Sequence, residues 1–596
     1  TYAEYFEKHS KRVEVTDENG KTTYERVWSV DAATEPIVID AIADLYEEGT
    51  DAEWKTVTYD GKEALFAPAS GTVAWTVKIP ETARYSVVIE CYPVYVDENG
   101  EKISKDTDIE RIFRINSTVP FLEARYLTIP KTYNHQYVNG EYQLGKDDNA
   151  TDLLNRAAEL GIIATSETRE NATYIIYELP KVWTEGACEY LCEELGVRFF
   201  VSDIDNNEIR PSTVQSPSWT TYEIRDASGY YSESFEFIFE ASEETVISLT
   251  GVNEPMAIKS IMLVPHTSYE SYEKVSGSYP SATAGTSTVK IEAEYVNATT
   301  TQTIYPIEDT RSAVNSPNTA EHSMLNTIGG VGGEKWQTTG QKLTYKFAVD
   351  NAGMYNIIAR FSQSTLDGMF TSRQLEIYTD YTEEEYKAKF GNLDGYYNGV
   401  PFEEATQLRF DYSSKWQTKL LSDGVTDFEF YFRDGVNYTI VLGVTLGSMG
   451  DIVSQVESVL DSINSDYLSI LKLTGAEPDD YRDYGFVRVL PDVVEDLREK
   501  SVVLYEIAEM LRNMAGVKGS MVATLEQVAW LLDRMGGDPE NEIAKNLTQL
   551  KSYIGSLGTW LSDAKTQPLH LDYLLIQGTG GELPRAEANF FQSFGY

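Results

Sequence analysis

The sequence predicts a mainly β protein with α insertions: two related jelly-roll β-sandwich domains, the second of which carries an inserted antiparallel four-helix bundle. Three observations predict this fold. Two hairpin patterns recur in the same order in both halves of the chain. Between residues 450 and 566 the apolar period changes from two residues to three or four, and a strand pattern then returns. With 596 residues, the chain is also too long for one hydrophobic core.

The order of these patterns gives the expected domains. They are an N-terminal segment at 1–32, sandwich module one at 33–274 with an α/β insertion at about 140–220, a linker at 275–288, sandwich module two at 289–449 and 567–584, a helical bundle inserted in module two at 450–566, and a C-terminal segment at 585–596, after which we expect the natural polypeptide to continue.

Two pairs of segments carry the repeat. Residues 73–91 (VAWTVKIPETARYSVVIEC) align without a gap with residues 343–361 (LTYKFAVDNAGMYNIIARF). Residues 235–239 (FEFIF) match residues 428–432 (FEFYF), and an apolar strand follows each of them. Alternating apolar and polar residues bounded by Gly, Pro, Asn or Asp indicate half-buried strands. Two matches in the same order favour a duplicated sandwich over two unrelated hairpins.

Helix signals mark both insertions. In module one, residues 149–160 predict a helix with an Asn or Thr N-cap, and residues 185–196 predict a second helix that ends at Gly196. Because strand 569–577 follows the bundle, we expect this strand to pair within the sheet that contains residues 290–446. Short connections between amphipathic helices predict an antiparallel bundle, with helices near 452–473, 491–514, 520–535 and 539–563.

Charge and composition exclude several functions. The chain has 94 acidic and 49 basic residues, a net charge of −45, which repels phosphate backbones and anionic lipids. We therefore expect neither nucleic-acid binding nor direct membrane insertion. None of the 5 His lies in a recognisable catalytic motif, so we expect no enzyme. A glycosidase needs only two carboxylates, so a polysaccharide-degrading enzyme stays an alternative.

Four motifs of module two follow an order known from other proteins. They are KIEAE at 290–294, IGGVGG at 328–333, AGMY at 352–355 and LDY at 571–573. In this order they resemble the galactose-binding-like carbohydrate-binding modules, particularly families six and thirty-five. The resemblance covers module two without the bundle. It implies a jelly roll that binds carbohydrate.

Module one resembles the sandwich that precedes sugar-type solute-binding proteins of Firmicutes ABC transporters. The segments that carry this resemblance are 109–111 (IER), 120–124 (PFLEA), 208–211 (EIRP), 229–231 (GYY) and 254–259 (EPMAIK). The resemblance implies an extracellular or cell-surface accessory region beside a sugar uptake system. Whether a solute-binding domain follows downstream stays open.

The resemblance to carbohydrate-binding modules also implies a structural calcium ion. The matching positions are Glu292 and Glu294 in the opening strand and Asp572 in the closing strand. Carboxylate oxygens that converge from two strand ends suit calcium. The alternative is that these residues are edge carboxylates of a very acidic protein.

Sugar recognition needs an aromatic face for the C–H side of the ring and planar polar groups for its hydroxyls. In module two, the candidates are Trp336 and Trp416, with Gln363 in the loop after the hairpin, where related modules also carry an aromatic residue. In module one, Tyr92 and Tyr95 occupy the matching loop. A core role for Trp336 is an equal alternative.

The favoured function is therefore extracellular, non-catalytic carbohydrate binding, associated with oligo- or polysaccharide capture next to an ABC sugar transporter. The alternative is a scaffold that has lost sugar binding and docks a protein partner through the helical bundle. The identity of the glycan and the oligomeric state cannot be inferred from these patterns.

Overall fold

A computed structural model describes most of the chain as two compact units. The first consists of residues 1–134, 213–269 and 298–302, and the second of residues 135–212, 270–297 and 303–596. The described residues are 1–16, 22–136, 139–180, 184–197, 199, 212–308, 314–316, 325–328, 336–516 and 519–587. The motif at 208–211 and most of the motif at 328–333 lie outside these ranges.

The helices and strands follow the chain in this order. The helices are α1 (Tyr2–Lys8), α2 (Ala150–Glu159), α3 (Glu185–Cys188), α4 (Tyr272–Gly277), α5 (Glu383–Phe390), α6 (Met449–Thr474), α7 (Phe486–Val489), α8 (Pro491–Ala515), α9 (Ser520–Gly537) and α10 (Pro539–Lys565). The strands are β1 (Ser10–Thr16), β2 (Thr22–Trp28), β3 (Ile37–Asp40), β4 (Lys55–Tyr59), β5 (Lys62–Ala67), β6 (Gly71–Ile79), β7 (Ala83–Pro93), β8 (Ile109–Ile115), β9 (Leu127–Ile129), β10 (Tyr133–Gln136), β11 (Gly140–Gln143), β12 (Ala164–Arg169), β13 (Ala172–Tyr177), β14 (Ser212–Gln215), β15 (Thr220–Glu223), β16 (Glu236–Phe239), β17 (Ser242–Asn253), β18 (Met256–Val264), β19 (Thr288–Glu292), β20 (Ala298–Thr299), β21 (Pro306–Glu308), β22 (Leu325–Ile328), β23 (Lys342–Phe347), β24 (Gly353–Ser362), β25 (Phe370–Thr379), β26 (Asn398–Gly399), β27 (Leu408–Asp411), β28 (Gln417–Leu420), β29 (Glu429–Phe432), β30 (Tyr438–Thr445) and β31 (His570–Gly578).

Two antiparallel sheets enclose the core of module one. One sheet has the order β15-β7-β18-β5-β4, with β16 also on β7 and β3 on β18. The other has the order β6-β17-β8-β9. Apolar side chains of both sheets meet in one cluster that includes Trp75, Ile89, Phe113 and Ile261. The alternation read from the sequence places these residues inside.

Module two has a matching pair of sheets. One has the order β21-β22-β31-β24-β28, with β19 also on β31 and β29 on β24. The other contains β23-β30-β25-β26, with β27 on β25. The shared core includes Tyr345, Ile357, Leu375 and Leu574. Strand β31 pairs with β19, β22 and β24, which is the pairing that the sequence predicts for the strand after the helices.

The strand register is the same in both modules. Strand β17 pairs with β6 and β8 in the way that β30 pairs with β23 and β25. In module one, the facing residues are Val73–Leu249, Tyr85–Phe237 and Ile89–Ile261. The equivalent pairs of module two are, in the same order, Leu343–Leu442, Tyr355–Phe430 and Ala359–Leu574. Pairing and sequence therefore agree on a duplicated β module. The jelly-roll connection of each module stays a prediction.

The helices α6 to α10 replace a tight turn. In module one, β17 ends at Asn253 and β18 begins at Met256, so two residues connect these strands. In module two, residues 446–569 connect the equivalent strands β30 and β31, and all five helices lie within them. The helical segment is therefore an insertion in the β module.

Four of these helices, α6, α8, α9 and α10, form the predicted bundle, with α10 packed on α6 and α9, and α6 on α8. Helices α8 and α9 are antiparallel, because Ser501 Oγ donates to the Ala529 carbonyl at 2.9 Å and Arg498 Nε to the Gly536 carbonyl at 2.7 Å. The sequence predicts a break at Gly536, but α9 continues to Gly537. A Cβ on Gly536 would lie 2.7 Å from Arg498 Cγ, so this glycine permits close helix packing.

The insertion of module one contains a small antiparallel sheet in the order β11-β13-β12. Helix α2 begins at the predicted N-cap, since the Asn149 side chain accepts a hydrogen bond from Thr151 N at 2.9 Å. The helix predicted at 185–196 consists of α3 and a π-helical segment, Glu189–Glu194. No helix in the described ranges is long and apolar enough to cross a membrane.

Candidate functional site

A cluster of buried carboxylates lies where β19 pairs with β31 in module two. Glu292 faces Tyr573 across this pair, which places Glu292 beside Asp572. Glu294 follows two residues later, and its backbone leaves the strand. All three side chains belong to residues that are at most 1% exposed. The structure therefore brings together the three carboxylates that the sequence resemblance selects.

Protein groups already contact two of these carboxylates. Arg360 on β24 forms a fully buried salt bridge with Asp572, with 2.6 Å between Nη1 and Oδ2. Ser316 Oγ donates to Glu292 Oε1 at 2.7 Å, and Lys290 Nζ lies 3.3 Å from the same oxygen. Within the described ranges, Arg360 and Lys290 thus partly offset the negative charges of Asp572 and Glu292.

Burial disfavours the ionised form of each carboxyl group. Burial and the charge of Glu292 raise the pKa of Glu294 well above its ordinary value. Burial raises the pKa of Asp572 to about 8, although Arg360 lowers it. Burial also raises the pKa of Glu292, against the opposite effect of Lys290. A proton or a further cation would stabilise such a cluster.

The donor chemistry of this cluster suits calcium, which prefers carboxylate oxygens. Glu292 Oε2 is buried and has no hydrogen-bond partner in the described part of the chain. Within those ranges, however, no three His, Cys, Asp or Glu side chains are already oriented as the ligands of a metal ion. Arg360 already binds one oxygen of Asp572. The predicted ligands are therefore close together, and calcium itself stays a prediction.

Four of the five predicted sugar-binding residues are buried, with exposed fractions of 0% for Trp336, 2% for Gln363, 8% for Tyr92 and 5% for Tyr95. The Arg373 guanidinium covers the Trp336 ring, 4.0 Å from its centroid. Tyr92 stacks on Tyr59, with 4.5 Å between ring centroids. Lys131 Nζ lies 4.9 Å from the centre of the Tyr95 ring. These three rings thus pack against protein groups and have no free face for a sugar in this structure.

The inserted bundle packs on the loop that carries Gln363. The Gln363 side chain stabilises this loop, because its Oε1 accepts from Thr365 N and Leu366 N at 3.0 Å each. The loop then approaches the connection between α8 and α9. A Cβ on Gly368 would lie 2.5 Å from Gly519 Cα, so two glycine backbones meet there. The expected loop site is therefore closed, a consequence of the insertion that motif reading does not reveal.

Trp416 is the one predicted sugar-binding residue that is half-buried rather than buried. The Arg360 guanidinium lies 4.5 Å from its ring centroid. Its backbone N–H donates to Glu587 Oε1 at 2.8 Å, and Arg360 Nη2 donates to the Ala586 carbonyl at 2.8 Å. Arg360 therefore connects Trp416 and the segment after β31 to the carboxylate cluster.

A pocket of about 240 Å³ opens on the outer face of the sheet that contains β24 and β31. Its floor is apolar and its rim carries two amides and two carboxylates. The residues that line it are Asn356, Ile358, Leu420, Asp427, Glu429, Gln577, Gly578, Gly580, Gly581 and Leu583. Sequence reasoning missed this pocket because polar residues that alternate with core residues are typical of any solvent-facing strand surface.

Three solved structures show similarity to parts of this chain. They are the GH26-CBM35 β-(1,4)-mannanase of Podospora anserina (11% identity, 42% of this chain, 36% of that chain, TM-score 0.17), the isomalto-dextranase of Arthrobacter globiformis T6 complexed with panose (12%, 35%, 26%, 0.17) and the Paenibacillus xanthan lyase (9%, 73%, 31%, 0.16). This chain thus spans between 26% and 36% of their lengths, and TM-scores this low carry no argument about it. The comparison with curated proteins gives no match.

The helical insertion gives the family relationship. Residues 451–565 match the family model of the bacterial solute-binding protein, 4-helix bundle domain. The matched segment begins within α6 and ends at the last residue of α10. It is therefore the same segment that separates β30 from β31. The inserted bundle is therefore similar to the 4-helix bundle domain of bacterial solute-binding proteins.

Proposed function

We propose that this chain is an extracellular, non-catalytic glycan-binding region of a bacterial sugar-uptake system. The relationship of the bundle to solute-binding proteins supports the uptake context. The observation that carries the proposal is the pocket on the outer face of module two. It combines an apolar floor with several planar polar groups, which is the combination that sugar recognition needs.

Each part of the pocket has a role in this proposal. Ile358 and Leu420 offer an apolar surface to the C–H groups of a sugar ring. The Gln577 amide and the exposed carboxylates of Asp427 and Glu429 accept or donate hydrogen bonds to neighbouring hydroxyls. Asn356 Nδ2 donates to the Phe428 carbonyl at 3.0 Å, which holds this amide in place at the rim.

A binding screen of the full chain against soluble plant and mucosal glycans tests the pocket. We expect one glycan class to bind, and the double variant Asp427→Asn/Glu429→Gln to bind at least about 10-fold more weakly. The matched control is Glu384→Gln on α5, which changes an exposed carboxylate away from the pocket. Equal binding by the double variant, or binding by no glycan, would refute the proposal. Release of new reducing ends would instead indicate the polysaccharide-degrading alternative.

We also propose that calcium binds the carboxylate cluster of Glu292, Glu294 and Asp572. The ion would neutralise the buried negative charge and hold the opening and closing strands together. We expect calcium to raise the melting temperature relative to chelator in the wild type. The variant Glu292→Gln loses this response. The control Glu376→Gln retains it, because Glu376 is a buried glutamate of module two that pairs with Lys342 instead. If calcium raises the melting temperature of none of the three proteins, or of all three, this assignment is contradicted.

A second candidate function, docking of a protein partner, is favoured by apolar side chains on the outside of the bundle. Trp530 on α9 is 51% exposed, and Val502 and Tyr505 on α8 are 56% and 40% exposed. Tyr505 and Asp533 of the neighbouring helix interact electrostatically, so the two helices present these residues side by side. If no glycan binds, cross-linking at Trp530 in the secreted protein fraction of the source cells would test this function. Loss of the cross-link in Trp530→Ala is the expected result.

A further inference from the structure

A buried arginine of module two has no acidic partner in the described part of the chain. Arg373 on β25 is 0% exposed. Its Nη1 donates to the Ser372 carbonyl at 2.8 Å, and its Nη2 to the carbonyls of Trp336 at 2.7 Å and Gln567 at 2.9 Å. No described Asp or Glu forms a salt bridge with it, and burial lowers the pKa of its guanidinium well below the ordinary value. Within the described ranges, this guanidinium thus contacts three backbone carbonyls and the Trp336 ring, all of them uncharged.

Module one contains the equivalent arginine. Arg111 of β8 faces Gly251 of β17, and Arg373 of β25 faces Val444 of β30, which is the same register position in the two modules. Both guanidinium groups donate to the carbonyl of the preceding residue at 2.8 Å. Both arginines are at most 1% exposed. The two modules therefore allow equivalent buried arginines to be compared in two environments.

The two environments differ in their charged neighbours. In module one, Glu254 lies in the two-residue turn between β17 and β18. Burial lowers the pKa of Arg111 to about 10, while the neighbouring Cys91 and Glu254 act in the opposite direction. Glu254 also forms a buried salt bridge with Lys131 at 2.8 Å. In module two, the helical bundle replaces this turn, so the carboxylate that accompanies Arg111 has no counterpart beside Arg373 in the described part of the chain.

Two buried donors beside the Arg373 guanidinium are left without acceptors. Arg373 Nε and Thr371 Oγ1 have no hydrogen-bond partner within the described ranges. Because side chains alternate along a strand, Thr371 and Arg373 lie on the same face of β25. Both residues are 0% exposed. Burying such groups without partners costs stability, so a ligand that accepts from both donors would stabilise the fold.

We propose that a small inorganic anion of the chloride type binds beside Arg373, accepts hydrogen bonds from Nε and from the Thr371 hydroxyl, and replaces the carboxylate that Glu254 supplies in module one. Because both donors are completely buried, we assign the site to a small, monatomic anion. Arg373 also holds the carbonyls of Trp336 and Gln567, the second of which follows the bundle. The anion thus stabilises the junction of bundle and sandwich.

Thermal unfolding of the full chain tests this site, with sodium chloride titrated against sodium gluconate at constant ionic strength. We expect a saturable rise of about 2 °C in chloride. Thr371→Val removes one donor with little change of shape and lowers or abolishes the rise. Ser372→Ala is the matched control, because Ser372 Oγ is also buried without a partner but lies on the opposite face of β25. It retains the full response.

Four results would overturn the proposal. Equal melting temperatures in chloride and gluconate would mean that water, rather than an anion, fills the site. An undiminished chloride response in Thr371→Val, or a lost response in Ser372→Ala, would place the effect elsewhere. In crystals grown with bromide, we expect an anomalous peak within hydrogen-bond distance of Arg373 Nε, and bromide confined to the surface would refute the site.

Discussion

Neighbours on other elements set the protonation of buried acidic residues in this protein, and Asp466 is the clearest case in the bundle. Asp466 on α6 is 8% exposed and lies against Asp496 on α8. Ser462 Oγ donates to Asp496, and Lys500 Nζ lies 3.3 Å from Asp496 Oδ1. Burial, and then the hydrogen bond and charge of Asp496, raise the pKa of Asp466 to about 8. Asp466 is therefore protonated at neutral pH and Asp496 ionised.

This arrangement predicts a pH dependence. In the unfolded chain Asp466 loses its proton near its ordinary pKa of 3.8, so from there to about pH 8 the folded state binds one more proton and stability falls as pH rises. We expect Asp466→Asn to match the wild type near pH 4 and to be more stable by up to about 5 kcal/mol at pH 8. Urea unfolding between these pH values measures the difference. The exposed control Asp461→Asn shows none, and a constant gap at all pH values would contradict the expectation.

The resemblance of the strand motifs to carbohydrate-binding modules predicted the carboxylate cluster, but the sequence did not predict the burial of the aromatic side chains. Glu292, Glu294 and Asp572 were identified because the two strands that carry them have recognisable motifs and pair as expected. For Trp336 and Tyr92, exposure depends on what packs over each ring. That is a long-range contact, which local pattern does not contain. The same reason hides the pocket at Gln577, whose lining comes from separate strands and a loop.

At the scale of elements, glycine marks the contact between bundle and sandwich. A Cβ on Gly519 would lie 2.2 Å from the Asp367 carbonyl oxygen, a backbone atom that cannot move aside cheaply. We expect Gly519→Ala to destabilise the protein by about 1–3 kcal/mol. Chemical unfolding followed by circular dichroism measures this change. The control Gly555→Ala, in α10 with no atom within 4 Å of the added Cβ, gains about 0.5–1 kcal/mol. Equal stability of Gly519→Ala and wild type would show that the two backbones do not meet.

Most elements follow from periodicity, and the deviations have local causes. Apolar and polar residues alternate strictly enough to place four strands from the sequence: β6, β7, β23 and β24. The helical period likewise places α6, α8 and α10. The end of α9 was wrong by two residues, because Gly536 serves helix packing rather than chain termination. The π-helical segment Glu189–Glu194 has no periodic signature that distinguishes it from an α-helix.

For the whole molecule, the duplication was readable because strand register preserves sequence alternation over both modules. The effects of the inserted bundle on module two could not be predicted from the sequence. The bundle covers the loop at Gln363. It also takes the place of the turn that carries Glu254 in module one, so Arg373 has no equivalent of this carboxylate in the described part of the chain. Both effects arise from residues far apart in the chain. One altered connection in a repeated scaffold thus changes which surfaces of module two are accessible. The outer-face pocket lies on the other side of the sheet from the shared core and is not covered in this way.

The equivalence of the two modules predicts that module two tolerates removal of the bundle. In the variant, the turn Glu254-Pro255 of module one replaces residues 447–568, because Leu446 and Leu569 are the equivalents of Asn253 and Met256 that flank this turn. Because the flanking strands keep the register of β17 and β18, we expect the β signal in circular dichroism to persist, with lower stability and little helix. The new glutamate restores the carboxylate near Arg373, so the chloride response of the melting temperature disappears. A control with glycine in place of that glutamate keeps the response. Loss of the β signal in both variants would show that the helices belong to the folding unit of the sandwich rather than being inserted into it.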